Sequence, residues 1–270
     1  MNEQATVDVI LPAGGRIAGE FAAEAGAEIK ALITLNGQSV LERLVRALRD
    51  TGRVRRIVII GPESLAEHPV AGQVEGVVPE GDSGPENFFR GLDWLAAHEP
   101  EPERPVRQER RVLLMATDLP FVTAEAICAF LDACPPDGDI CLPIIRREAF
   151  QARFPGSVNQ YTVLRDGAWT MGCAFLVNPS ALRQNRIHIE RVFAARKSQP
   201  AMARLLGLEF IARFLFGRLD VAHIERRCAQ ILGCRGRAVH GCPPELAFDI
   251  DLPGEYRYAA QQAAAQQAAA

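Results

Sequence analysis

Apolar residues along this chain recur in two rhythms. Unbroken runs at Val7–Pro12, Val54–Ile60, Val112–Ala116 and Asp139–Ile145 read as strands buried on both faces. Between them the spacing changes to three and four. Val40, Leu41, Leu44, Val45 and Leu48 predict a helix over Gln38–Arg49, with Ser39 as a cap candidate. Phe88, Phe89, Leu92 and Leu95 mark one side of a second helix over Glu86–His98, and Thr123–Cys134 reads as a third. Gly72–Val78 is a weaker strand. Strands alternating with helices predict a mostly parallel sheet with crossover helices, a three-layer α/β/α architecture of Rossmann-like type. The proline- and charge-rich stretch Glu99–Arg111 reads as a solvated loop.

The second half changes character. Tyr161–Arg165 and Cys173–Val177 predict strands flanking a turn at Asp166-Gly167. From Ile187 to Gly233 the pattern is helical, with breaks near Ser198-Gln199-Pro200, Gly207 and Gly217. Leu246–Asp251 predicts a last strand. The expected organisation is one domain over residues 1–258, carrying a helical insertion at 187–233. An Ala/Gln tail follows at 259–270, which either extends a helix or frays. Within the insertion, Leu208, Phe210, Ile211, Phe214, Leu215 and Leu219 share a face opposite Glu209, Arg213 and Arg218. Such a face packs on a core, lines an acceptor pocket, joins a second copy or touches a membrane surface.

Charge and composition narrow the function. Hydrophobic content of 48% and charged content of 23% are those of a folded globular protein. A net charge of −3 disfavours a nucleic-acid partner. No apolar run reaches the ~18 residues of a spanning helix, and no basic, then apolar, leader precedes Val7. The seven cysteines contain no C-x-x-C pair and suit a reducing, cytoplasmic setting. Cys228, Cys234, His240 and Cys242 offer zinc-type donors, but in no zinc spacing, so buried idle thiols are the expectation.

The candidate chemistry sits where two strands end. Val7–Pro12 breaks into Ala13-Gly14-Gly15-Arg16, where glycines let bare backbone N–H groups approach a phosphate. Lys30, closing a small-residue loop from Ile17 to Ile29, can neutralise phosphate charge as a point cation. Val112–Ala116 ends on Thr117-Asp118-Leu119-Pro120, presenting a carboxylate that must be solvated, paired or metal-bound. Asp249 and Asp251 lie two apart and share a face if Leu246–Asp251 is a strand.

Leu11-Pro12-Ala13-Gly14-Gly15-Arg16, the Lys30-Ala31-Leu32 block running to Leu41-Glu42-Arg43, Thr117-Asp118-Leu119-Pro120 and the closing Asp249-Ile250-Asp251-Leu252-Pro253 carry a resemblance. Together they are similar to nucleotidyltransferases of the molybdenum cofactor guanylyltransferase type, and to the wider superfamily with methylerythritol-phosphate cytidylyltransferases. The resemblance implies a glycosyltransferase A-type sheet and transfer of a nucleotide from an NTP to a phosphorylated acceptor, small or lipid-like, releasing pyrophosphate. It implies Leu11, Ala13, Gly14, Gly15, Arg16, Lys30, Asp82 and Asn87 at the nucleotide, and Mg²⁺ on Asp118 and Asp251. Lys30 and Asp118 would be the catalytic pair. Arg16 follows Gly15 directly, where the family has Gly-x-Gly-x-Arg, and the closing motif has Leu252 and Gly254 in place of the usual Thr-Pro-Glu-Asp. The helical insertion has no counterpart in the small members, so Arg196 and Lys197 within it are the candidate acceptor contacts. Two rivals are a nucleotide-sugar glycosyltransferase, disfavoured because its Asp-x-Asp falls mid-domain, and a silent nucleotide-binding regulator of the same fold.

Overall fold

The computed structural model describes residues 6–99, 110–196 and 198–269. The first half builds as the apolar runs predict. Strand β1 (Val7–Pro12) pairs in parallel with β4 (Val54–Gly61) on one side and β6 (Val112–Met115) on the other, while β5 (Gly76–Pro79) extends the sheet beyond β4. Helix α2 (Val40–Asp50) starts on the capping box that Ser39 and Glu42 form: each side chain satisfies the other's backbone N–H. Helices α3 (Gly84–Ala97) and α4 (Ala124–Ala133) start on Ser83 and Thr123, whose hydroxyls cap them. Leu44, Leu48, Ile127 and Phe130 fill one face of the sheet, and Phe88, Phe89 and Leu92 the other.

Beyond β6 the sheet is mixed. Strand β7 (Ile140–Arg146) continues it, and β10 (Ala174–Val177) runs antiparallel between β6 and β7. Strand β9 (Gly167–Met171) extends the β10 edge against the far half of β7, with β8 (Thr162–Leu164) hairpinned beside it. The expected turn at Asp166-Gly167 is therefore the tip of this hairpin. Helix α5 (Arg147–Arg153) follows β7 directly.

Three expectations are corrected. The Ile17–Ile29 loop contains a helix, α1 (Gly19–Ala25), stopped by left-handed Gly26 at φ 66°. Ile33-to-Ser39 forms a small hairpin, β2 (Thr34–Leu35) and β3 (Gln38–Ser39), which takes the first two residues expected in α2. The last strand is not Leu246–Asp251. Pro243 and Pro244 cannot donate to a ladder, and Pro244–Ala247 makes a 3₁₀ turn instead. The edge place beside β7 goes to β11 (Gly236–Val239), too short and polar to stand out in the sequence. The Ala/Gln tail belongs to helix α11 (Pro253–Ala269), which buries Ala259 and Ala263; the Ala263 carbonyl accepts Asn36 Nδ2.

The insertion is a cluster of short helices: α6 (Pro179–Gln184), α7 (Arg186–Ala195), α8 (Gln199–Leu206), α9 (Leu208–Leu215) and α10 (Val221–Leu232). Helix α10 lies on β11 and α7 on α3. The predicted apolar face divides: Phe210 of α9 and buried Leu219 pack on the cluster around Trp169, while Leu208, Phe214 and Leu215 are exposed. The thiols of the Cys228, Cys234, His240, Cys242 set do not converge. Cys234 and Cys242 are buried, and His240 packs edge-on against Trp169. The zinc alternative is thereby removed among the described residues, where the one group able to hold a metal is made of carboxylates.

Candidate active site

The carboxyl ends of β1 and β6 are neighbours, and each hands the chain to a loop at the same edge. Buried Thr117 ties the loops together by donating its hydroxyl to the Pro12 carbonyl at 2.9 Å. This is the edge at which open α/β sheets bind ligands. Leu11 and Ala13 lie under it, fully buried, with the Ala13 N–H already given to the Ile60 carbonyl. Their side chains form the floor beneath it. Above them, the N–H groups of Gly14 and Gly15 donate to no acceptor among the described residues. A side chain at Gly14 would strike the Glu80 carboxylate, which rests on its Cα face. Arg16 pairs with that carboxylate and also donates to the Gly14 carbonyl at 2.8 Å.

Lys30 comes from the other side. Its backbone N–H bonds to the Gly15 carbonyl, so the side chain lies along the glycine turn. The ammonium pairs with Asp251 and stands 3.7 Å from Asp118. Burial alone would lower its pKa, but the Asp251 hydrogen bond and the charges of Asp118, Asp251 and Asp249 raise it. Lys30 is a fixed cation at any physiological pH.

Asp118, Asp249 and Asp251 each place a carboxylate oxygen within 4.8 Å of the other two. Asp249 and Asp251 arrive without a strand: the Ile250 N–H hooks onto the Asp118 carbonyl, and Glu255 accepts the N–H groups of Asp251 and Leu252. Burial, then the Asp118 and Asp251 charges, push Asp249 up to about 6. Burial also raises Asp118, with Lys30 opposing and Asp251 adding to the shift. Three carboxylates with one lysine are an excess of negative charge that a divalent cation would relieve. The all-oxygen donor set fits a hard ion such as Mg²⁺ or Mn²⁺. Asp249, outside the pair that the resemblance implied, belongs to the group, and its Asp-x-Asp spacing was the available signal. Cys173, whose thiol lies within hydrogen-bonding reach of Asp249, gave no signal in the sequence.

The loop before α3 is set by Asn87, which is buried and accepts the Gly81 N–H at 2.6 Å through Oδ1. The Asp82 side chain is exposed beside it. The Arg196 guanidinium stacks on Phe193, whose ring closes on Gly84 at the start of α3. Lys197 lies outside the described residues.

Known proteins share this fold. A hypothetical transferase from Thermus thermophilus superposes with a TM-score of 0.79 at 31% identity, covering 92% of this chain and 97% of its own. A nucleotidyl transferase from Methanothermobacter shares the fold at 18% identity and a TM-score of 0.56, with 97% and 99% of the two chains covered. A 4-diphosphocytidyl-2C-methyl-D-erythritol synthase from Anaerococcus prevotii does so at 13% and 0.54, with 96% and 98% covered. No curated protein matches the sequence. The family model of the MobA-like NTP transferase domain matches residues 13–223, and the chain belongs to that nucleotidyltransferase family.

Proposed function

We propose that this nucleotidyltransferase moves a nucleoside monophosphate from an NTP to a phosphorylated small-molecule acceptor, with Mg²⁺ as the working cation. The observation that carries the reading is convergence: two unspent glycine N–H groups, one fixed ammonium and three carboxylates meet at the joined ends of β1 and β6. In the reaction, an acceptor phosphate oxygen bonds to the α-phosphorus, the bond from that phosphorus to the bridging oxygen breaks, and pyrophosphate leaves with the bond's electrons. Gly14 and Gly15 would hold phosphate oxygens through their N–H groups, and Lys30 would turn its ammonium from Asp251 onto the charge that develops there. Asp118, Asp249 and Asp251 would hold the cation, which neutralises triphosphate charge when bound. No covalent enzyme intermediate is required; in-line positioning and charge neutralisation suffice.

Asn87 would keep the 81–87 loop in shape for the base and ribose, with Asp82 at its open face. We read residues 1–258 as one working unit, because the site draws on Gly14 near one end and Asp251 near the other.

Pyrophosphate release from each NTP, with and without Mg²⁺ and candidate phosphomonoesters, tests the assignment. Asp118→Asn is nearly isosteric and should fold while losing at least 100-fold in Mg²⁺-dependent turnover. Release that persists in Asp118→Asn at saturating Mg²⁺ would reject the metal assignment. Nucleotide binding without pyrophosphate release from any acceptor would favour a silent regulator.

A further inference from the structure

Beyond the carboxylate cluster lies a cavity of about 240 Å³ on the other side of β7, roofed by α10. Its walls are Leu142, Ile144, Leu164, Trp169, Met171 and Ile224, with two charged neighbours whose charges are spent elsewhere. Glu225 accepts the Ala238 N–H at 2.7 Å, and Arg237 pairs with Asp137 at 2.6 Å. The room corresponds to about eight groups of methylene or water size at roughly 30 Å³ each. Water would find few partners on such walls.

Three observations say what belongs there. Met171, at the rim, is 58% exposed, and only Gly172 separates it from Cys173, whose thiol reaches Asp249. The cavity's rim thus stands two residues along the chain from a side chain that neighbours the carboxylates. Trp169 is 6% exposed, yet its Nε1–H has no acceptor among the described residues. A buried orphan donor is destabilising unless an oxygen meets it. Phe210 of α9 packs on the same apolar cluster, while Leu208, Phe214, Leu215 and Phe216 on and just after that helix face outward.

We propose that the acceptor is an amphiphile: a phosphomonoester whose medium-length apolar chain enters this cavity, with an ester or ether oxygen meeting Trp169 Nε1–H. The inference rests on the transferase reading above and names its substrate class. Apolar walls bind the chain through the area they remove from water, and flexible Met171 adapts to it. The phosphate then points toward the carboxylate cluster, where a cation and Lys30 receive it.

The chain has two tryptophans, so Trp94→Phe leaves Trp169 as the sole indole reporter. Titrating this protein with decyl phosphate, without nucleotide, should give a saturable change in Trp169 emission. Butyl phosphate should bind at least ten-fold more weakly, and inorganic phosphate should produce no change. Met171→Lys and Ile224→Lys should each weaken decyl phosphate binding at least ten-fold; Met171 is exposed enough that its variant folds even if the other does not. Emission indifferent to decyl phosphate, or affinity independent of chain length and of Met171→Lys, would overturn the proposal. Because no NTP is present, the two readings fail separately. Decyl phosphate binding without pyrophosphate release from any NTP supports the cavity and sinks the transfer. Pyrophosphate release with short phosphomonoesters alone, and a silent Trp169, does the reverse.

Discussion

At the scale of single residues, the site is held together by charges that a substrate must rearrange. Lys30 bridges Asp118 and Asp251, and Arg16 is tied to Glu80 over the bare face of Gly14. Lys30→Ala should weaken NTP binding by about 1–3 kcal/mol, the range for a charge-assisted phosphate contact; calorimetry at fixed Mg²⁺ measures it, and an unchanged Kd would discard the lysine's role. Glu80→Gln should act in the opposite direction. The Glu80 carboxylate rests on the Cα face of Gly14, beside the glycine turn, so it both repels a triphosphate and occupies Arg16. Removing its charge should tighten NTP binding about three- to ten-fold at low ionic strength, with the gain shrinking as salt screens it. An NTP affinity lowered by the change would mean that Glu80 contacts the nucleotide directly.

At the scale of elements, the helices that frame the site rest on local capping as well as packing. Ser39 closes the capping box of α2 and is itself buried, so Ser39→Ala should cost about 1 kcal/mol, within the 0.5–2 kcal/mol typical of lost caps, read from denaturant midpoints. The cap was legible in the sequence because Ser39 stands at the start of a regular apolar repeat. The central strands were legible for a similar reason: Val112–Met115 is apolar throughout, and Val7–Pro12 and Val54–Gly61 are apolar beyond Asp8, Arg55 and Arg56 at their amino ends, as strands covered on both faces must be. What stayed hidden depended on tertiary partners. Strand β11 exists because β7 offers it an open edge, while Leu246–Asp251 has the composition of a strand but is turned aside by two prolines. Asp249 therefore reaches Asp118 by the hook of the Ile250 N–H onto the Asp118 carbonyl, which no periodicity encodes. The stacking of Phe193 on Gly84 likewise joins elements about a hundred residues apart.

At the scale of the whole molecule, the two ends of the sheet treat their acids in opposite ways. At the amino end, burial would raise Asp8, but hydrogen bonds from Arg56 and Arg55 outweigh it and hold the carboxyl below its ordinary value. At the carboxyl end, burial and mutual repulsion hold Asp249 at about 6 and raise Asp118 as well. The signs then follow from linkage. Asp8 lends stability that is complete above its unfolded value near 4 and is lost only as pH falls below that. Asp249 binds its proton more tightly folded than unfolded, so between about 4 and 6 the folded state carries the extra proton and stability declines as pH rises. The metal-free protein should therefore melt at a higher temperature at pH 5 than at pH 7.5, since Asp249, at about 6, loses its proton in that interval while Asp8 is already ionised. In a domain of this size 1 kcal/mol moves Tm by roughly 2–4 °C, well within reach of calorimetry. Millimolar Mg²⁺ should reverse the order, because it binds the ionised carboxylates of the folded state at pH 7.5 and competes with protons at pH 5. Asp249→Asn should flatten the pH dependence and remove most of the Mg²⁺ stabilisation together. A variant that loses one effect and keeps the other would separate the acid that titrates from the acids that hold the ion.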